Sequence, residues 1–367
     1  MDRYQIQSNT SKRYADEFDN FWRFFTLHSD DFFKTIKSGK GVEEDFFEDL
    51  TTKLEEINEG IFFLVGMENE SLAELIFTPV GVPKNVFLVE ELVASAPEIT
   101  RWQFRALKPA NPKLDFDIKF DNLIFTKHNI KFYPIIHTEY PDEIDLMLVY
   151  NNFHEEAYEE IFNGIYLFLE NYLGEEIMIE SIDKIQIAAL NESNKELIPV
   201  SKLKDYLIWR EKEFVEKYHH IKYNSKDNEY IGFEGIIDDN TPIVSYINAN
   251  VVHWQFKASH PWILSVILES VSENDIIDDP TSLLINQIHD DLDKMLPENK
   301  GNIFIGWHKV NGNIEIFYAC QGFRGPSVVL REIEANYANK LKVSYDIFKD
   351  KYWRTFEWYS KSGMLDI

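Results

Sequence analysis

The chain has 367 residues, 44% hydrophobic and 15% aromatic, and its 63 Asp and Glu against 37 Lys and Arg leave a formal net charge of -26. That length is about twice a usual domain, so two cores are expected, and the negative field repels phosphate backbones and anionic headgroups, which argues against nucleic-acid or membrane-surface binding. One cysteine, Cys320, leaves no intramolecular disulfide, no CxxC pair and no multi-cysteine zinc site.

The opening MDRYQIQSNTSKRYADEF lacks the apolar region of a signal peptide. No stretch approaches the roughly 18 uninterrupted apolar residues of a spanning helix, so a cytoplasmic, reducing location is expected. From 16 to 58 the pattern predicts two helices, one carrying Phe18, Phe21, Trp22 and Phe25, the other Phe46, Phe47, Leu50, Leu54 and Ile57, with Ser38-Gly39-Lys40-Gly41 between them. Apolar runs at 61–66 and 73–78 read as strands, and Gly81-Val82-Pro83 introduces a helix over 85–96. Trp102, Phe104 and Ala106 alternate with Arg101, Gln103 and Arg105, as on a strand with one wet face. The unit is β-β-α-β.

Strands are expected near 116–120, 130–136 and 144–150. An amphipathic helix follows with Tyr158, Ile161, Phe162, Ile165, Leu169 and Tyr172 on one stripe, Asn152 as its cap and Gly174 as its stop. A strand at 182–189 and the polar run Asn191 to Lys195 close an N-terminal domain, residues 1–195. Residues 196–239 read as a bridging helix, 201–218, and a polar linker.

The C-terminal domain is assigned to 240–367. Strands are expected at 243–248 and 251–257, a helix opened by His260-Pro261, and a second helix over 282–296. Strands 303–310 and 313–319 flank Asn311-Gly312, the pair that supplies the positive φ angles of a type I′ turn. Gly322-Phe323-Arg324-Gly325-Pro326, a helix over 327–339 and a strand over 341–347 complete a second β-β-α-β unit. Gly66 and Gly306, Glu74 and Glu315, and Pro83 and Pro326 occupy matching places in the two units, and an aromatic, Trp102 or Tyr345, lies 19 residues after each proline. Duplication and convergence on a common unit both account for this. The expected fold is α+β, with two α/β sandwich domains, each holding a β-β-α-β ferredoxin-like unit.

Catalytic signatures are missing. There is no GxSxG elbow, no GxGxxG after a strand and no GxxxxGK[ST] loop. His137-Thr138-Glu139 superficially resembles the HxE of zinc deaminases, but the accompanying PCxxC is impossible with one cysteine. His219 and His220, His253 and His260, and His289-Asp290-Asp291 give no ligand spacing either, so no metal and no cofactor are expected, and Cys320 reads as a buried structural thiol. Between Glu139 and Glu192 stand fourteen acidic residues and one basic one, Lys184, which predicts a single-sign surface. Glu155, Glu156, Glu159 and Glu160 are the candidate partner-binding residues within it. Arg324, at the start of a helix among glycines, is a further candidate with the ingredients of an anion site. The C-terminal Tyr352, Trp353, Phe356, Trp358 and Tyr359 read as packing for a closing helix.

Several features of the second half carry a resemblance: His260-Pro261-Trp262, the helix at 282–296, the run Gly301 to Trp307, the Asn311-Gly312 hairpin, 314–318, and Lys351-Tyr352-Trp353 with Asp350 three residues before the tryptophan. Together, over about residues 240 to 360, they resemble the bacterial family called domain of unknown function 695. That family in turn is similar to regulators that inhibit ribonuclease E by contact. The resemblance implies a non-catalytic regulatory or inhibitory protein acting by contact, and the charge balance adds the expectation of a basic protein partner bound through the acidic face. The alternative is a small-molecule-binding protein or hydrolase with a site between the domains, using His137, Glu139 and Arg324.

Overall fold

A computed structural model describes residues 10–361 apart from 112, 114, 121, 191–194, 238–240 and 270–278. The polar run from Asn191 to Asn194 therefore lies outside the described residues. The fold is α+β, in two compact units, Met1–Phe214 and Val215–Ile367. The division falls inside a helix of the segment read from sequence as a bridge.

In the first unit the aromatic stripe of helix α1 (Thr10–Ser38) decides the packing. A π-helical turn (Glu43–Phe47) and α2 (Glu48–Glu55) follow, then β1 (Phe62–Asn69), β2 (Leu72–Thr78), α3 (Pro83–Ala94) and β3 (Trp102–Ala106). β1 and β2 are antiparallel and β2 and β3 parallel, the β-β-α-β unit expected. Trp22 meets Phe104 edge-on at 4.6 Å and Phe25 meets Trp102 at 4.9 Å, while the Trp22 indole N–H donates to the Leu92 carbonyl of α3 at 2.9 Å. One face of the three-stranded sheet is thus sealed by two helices.

The same connectivity then recurs, which the sequence reading missed. A small hairpin, β4 (Ile118–Phe120) and β5 (Leu123–Phe125), precedes β6 (Ile130–Ile135), β7 (Asp145–Tyr150), α4 (Tyr158–Leu173), α5 (Glu175–Ser181), β8 (Lys184–Ala189), β9 (Ile198–Pro199) and α6 (Leu203–Tyr218). The sheet order is β8-β7-β6-β9, with β7 and β8 parallel across α4 and α5. Leu146, Leu148 and Tyr150 of β7 face Ile161, Ile165 and Phe168 of α4 in one core. Gly174 ends α4 at φ +83°, as its position predicts. Asn152 does not cap it: a 3₁₀ turn, Glu155–Ala157, intervenes.

The second unit is built on one six-stranded sheet. Its elements are β10 (Tyr230–Ile237), β11 (Thr241–Asn248), α7 (Ala249–Val252), β12 (Trp262–Glu269), α8 (Asp279–Met295), β13 (Asn302–Val310), β14 (Asn313–Cys320), α9 (Arg324–Tyr337), β15 (Lys342–Lys349) and α10 (Glu357–Lys361). The order β10-β11-β13-β14-β12-β15 places β12 between the two strands joined by α9. Two split β-α-β crossovers therefore interleave: β13, β14, α9 and β15 follow in the expected β-β-α-β order, with β12 inserted between β14 and β15. The matching residues of the two halves do not share a sheet topology.

Three local expectations are corrected. His260-Pro261 opens β12 and not a helix: every residue from Trp262 to Val266 is buried, as in a central strand covered on both faces, where the apolar run shows no period. Residues 251–257 form no strand, because the Asn248 side chain caps α7 by accepting from the Val251 N–H at 3.2 Å. β10 lies in the stretch assigned to the linker. The hairpin at Asn311-Gly312 is as expected, with φ of 50° and 78°. So is the packing of the C-terminal aromatics: Trp353, Phe356 and Tyr359 are buried against Ile263, Ile303 and Phe317. Asp350 holds this closure by accepting from the backbone N–H groups of Arg354 and Thr355.

Candidate functional site

The acidic segment separates into charges turned inward and charges left outside. Glu143, Asp145 and Glu175 are buried, and Glu170 pairs with Lys108 at 2.8 Å in a half-closed setting. The single-sign surface expected across 139–192 is therefore smaller than the sequence count. What remains outside is concentrated where α4 begins. Glu155 and Glu156 lie in the 3₁₀ turn and Glu159 and Glu160 in the first turn of α4, with the first three exposed and Glu160 half-buried. Carboxylates there complement the positive end of the helix dipole, which is the local reason for the clustering. Among the described residues none of the four forms an ion pair.

An aromatic ladder runs beside them. Tyr158, 41% exposed, stacks on Phe162 at 6.5 Å, and Phe162 stacks on Tyr166 at the same spacing, following the i, i+4 geometry of a helix face. Burial and the neighbouring Glu170 and Glu175 push the Tyr166 hydroxyl pKa up. Glu155 and Glu159 each precede a ladder ring by three residues, so rings and carboxylates share one strip.

A second cluster sits at the β6–β7 hairpin. His137 does not group with Glu139, the neighbour suggested by the HxE spacing, but with Glu143 and Asp145. The His137 Nε2 lies 2.9 Å from Asp145 Oδ2, and the ligand atoms of all three side chains fall within 4.8 Å of one another. The backbone here is pinned twice by Asp183, whose carboxylate accepts from the Ile144 N–H at 2.7 Å and whose N–H donates to the Ile144 carbonyl at 3.0 Å.

In the second unit the polar groups on the sheet form a closed structural network. The Ser265 hydroxyl donates to Glu315 Oε1, and His308 Nε2 lies 3.0 Å from Glu315 Oε2. The Tyr359 hydroxyl reaches His308 Nδ1 at 3.2 Å. Burial works to raise the Glu315 carboxyl pKa, but the bonds from His308 and Ser265 outweigh it and hold it below the ordinary value. The serine bonds the carboxylate and not the histidine, so this is no nucleophile–base pair.

Arg324 belongs to this unit and the four glutamates to the first. The helix starts at Arg324, so Gly325 and Pro326 are its first turn and not a loop ahead of it, and the guanidinium stacks over Phe323 at 4.9 Å. Cys320 is fully buried at the end of β14, and burial pushes its thiol pKa far up, away from reactive thiolate chemistry. Among the described residues no helix is long and apolar enough to cross a membrane. Comparison with known protein families, with curated proteins and with solved structures found no match to this chain.

Proposed function

We propose that this is a non-catalytic, cytoplasmic regulatory protein that docks a basic segment of a partner protein on the strip where α4 begins. The observation that carries this reading is the pairing of Glu155, Glu156, Glu159 and Glu160, without counter-ions among the described residues, with the partly exposed ring of Tyr158. Carboxylates beside an aromatic face suit lysine and arginine, which gain both charge pairing and a cation–π contact.

The test is affinity capture at low and high salt with the wild-type chain, with Tyr158→Ala, and with Glu155, Glu156, Glu159 and Glu160 all changed to lysine. A basic partner held at low salt, released as salt rises and lost from the lysine variant supports the reading. Weakened capture by Tyr158→Ala adds the ring to the site. Capture that is absent, or equal for wild type and the lysine variant at matched circular dichroism, overturns it.

A further inference from the structure

The hairpin between β6 and β7 offers a chemistry that the docking strip does not. Two carboxylates, Glu143 and Asp145, each only 6% exposed, are brought together with a histidine whose side chain is about one-third exposed, at 33%. Crowding two carboxylates in a buried place disfavours having both of them ionised. A divalent cation offsets both.

We propose that His137, Glu143 and Asp145 bind a divalent first-row metal ion, with water in the remaining positions. This departs from the sequence expectation of no metal. Metal–ligand distances of about 2.0–2.2 Å place adjacent donors roughly 3 Å apart and opposite donors roughly 4.2 Å apart in an octahedral shell. The 2.9 Å between His137 Nε2 and Asp145 Oδ2 fits an adjacent pair, and the outer limit of 4.8 Å needs only a small side-chain adjustment to close. One imidazole nitrogen with two carboxylate oxygens suits Mn²⁺, Fe²⁺ or Zn²⁺ better than a soft thiophilic ion.

The surroundings favour a site held in advance. Asp145 is the first residue of β7, in register with Ile135 of β6 and Lys184 of β8, so its backbone is fixed from both sides. Glu143 is tied by its own N–H to the Tyr140 carbonyl at 3.1 Å, and Ile144 between the two ligands is clamped by Asp183. The Arg210 guanidinium approaches the same loop, but it donates to the Pro141 carbonyl at 2.6 Å and to the Tyr206 hydroxyl at 3.1 Å, not to the carboxylates. Lys184, opposite Asp145, is exposed and forms no ion pair among the described residues. The open side is that of His137, so a bound ion keeps positions facing solvent, as three-ligand sites do.

The experiment loads the full chain with Mn²⁺, and separately with Zn²⁺, and measures metal per chain after dialysis. Because Asp145 is buried, the primary variant is His137→Gln, whose ring is partly exposed; Asp145→Asn is the second. One ion per chain in wild type, weakened at least tenfold in His137→Gln, is the expected result. Pulsed electron paramagnetic resonance of the wild-type Mn²⁺ form should report an imidazole nitrogen coupling, a readout independent of any variant's folding. No stoichiometric binding, binding unchanged in His137→Gln, or bound Mn²⁺ without the nitrogen coupling overturns the proposal and leaves His137 and Asp145 as an ion pair. The chain with four lysines at 155, 156, 159 and 160 should bind metal like wild type, which separates this site from the docking strip.

Discussion

The hydroxyl of Thr78 donates to Glu175 Oε1 at 2.7 Å, joining residues 97 positions apart in sequence. The same oxygen accepts from the Gly81 N–H at 2.8 Å, and Oε2 accepts from the Lys108 N–H at 3.2 Å. Glu175, 1% exposed, therefore serves as an internal acceptor that ties the end of β2 and the start of α3 to α5. Changing Glu175→Ala removes the acceptor of one buried donor, the Thr78 hydroxyl, and of two half-buried N–H groups, and bonds to a charged acceptor count for about 1.5–3 kcal/mol each without adding fully. The expected loss is about 3–5 kcal/mol, read as a lower urea midpoint for the first unit; a loss below about 1 kcal/mol would sink the account.

Val80 is the residue most at odds with its backbone. It sits at φ 50° with Gly81 at 75°, in a turn closed by the Val82 N–H on the Pro79 carbonyl at 3.1 Å. Asn311-Gly312 adopts nearly the same pair, 50° and 78°, with a residue suited to it. A β-branched residue in the left-handed region costs about 1–2 kcal/mol, and Val80, 54% exposed, recovers little by burial. Val80→Asn should raise stability by about 1 kcal/mol, seen as a higher melting temperature, while Val80→Ile should not.

How much of this was legible in the sequence depends on how local the determining physics is. The Asn311-Gly312 hairpin, the α1 stripe and the stop at Gly174 were readable because two dihedral angles or one periodicity decide them. β12 was not, since a strand buried on both faces has no alternation to distinguish it from a buried helix. β10 was hidden because its own sequence is broken by Gly232 and Gly235 and follows a polar stretch, so that its pairing with β11 is what makes it a strand. The metal cluster is nonlocal in the same way: hairpin register sets Asp145, eight residues on, against His137, whereas the HxE spacing pointed to Glu139. The one available signal was an acidic residue opening the otherwise apolar run DLMLVY.

Gly164 lets α4 approach Phe125 closely. A Cβ at this position would lie 2.0 Å from Cε2 of Phe125, a residue fully buried beneath α4. Alanine gains about 1 kcal/mol of helix propensity over glycine, but overpacking a closed core costs about 1–3 kcal/mol and here the clash is with a ring. Gly164→Ala should destabilise despite its better propensity, and adding Phe125→Leu should restore part of the loss in a double-mutant cycle. Independent, additive effects would contradict the contact.

His260 supplies a pH dependence confined to the second unit. It is 2% exposed, its Nδ1 lies 2.9 Å from the Ser259 hydroxyl, and that hydroxyl already donates to the Phe256 carbonyl at 2.7 Å, so the ring must be the donor to serine. Trp254 covers it at 5.4 Å and Trp353 donates to its carbonyl, while the nearby Lys257 ammonium lies over the Trp353 ring. Burial alone lowers the imidazole pKa from 6.5 to about 4. Above about pH 6.5 both folded and unfolded chains carry the neutral ring and the residue adds no pH dependence. Between 6.5 and 4 the unfolded chain takes up a proton that the folded chain refuses, so stability falls as pH falls, and below 4 the loss is complete at about 3 kcal/mol. His260→Gln keeps a donor for Ser259 but cannot titrate. Urea midpoints of the second unit measured at pH 7 and 4.5 should therefore diverge less in His260→Gln than in wild type, carboxylate titration being common to both; an equal drop in the two proteins would show that His260 is not the group being protonated.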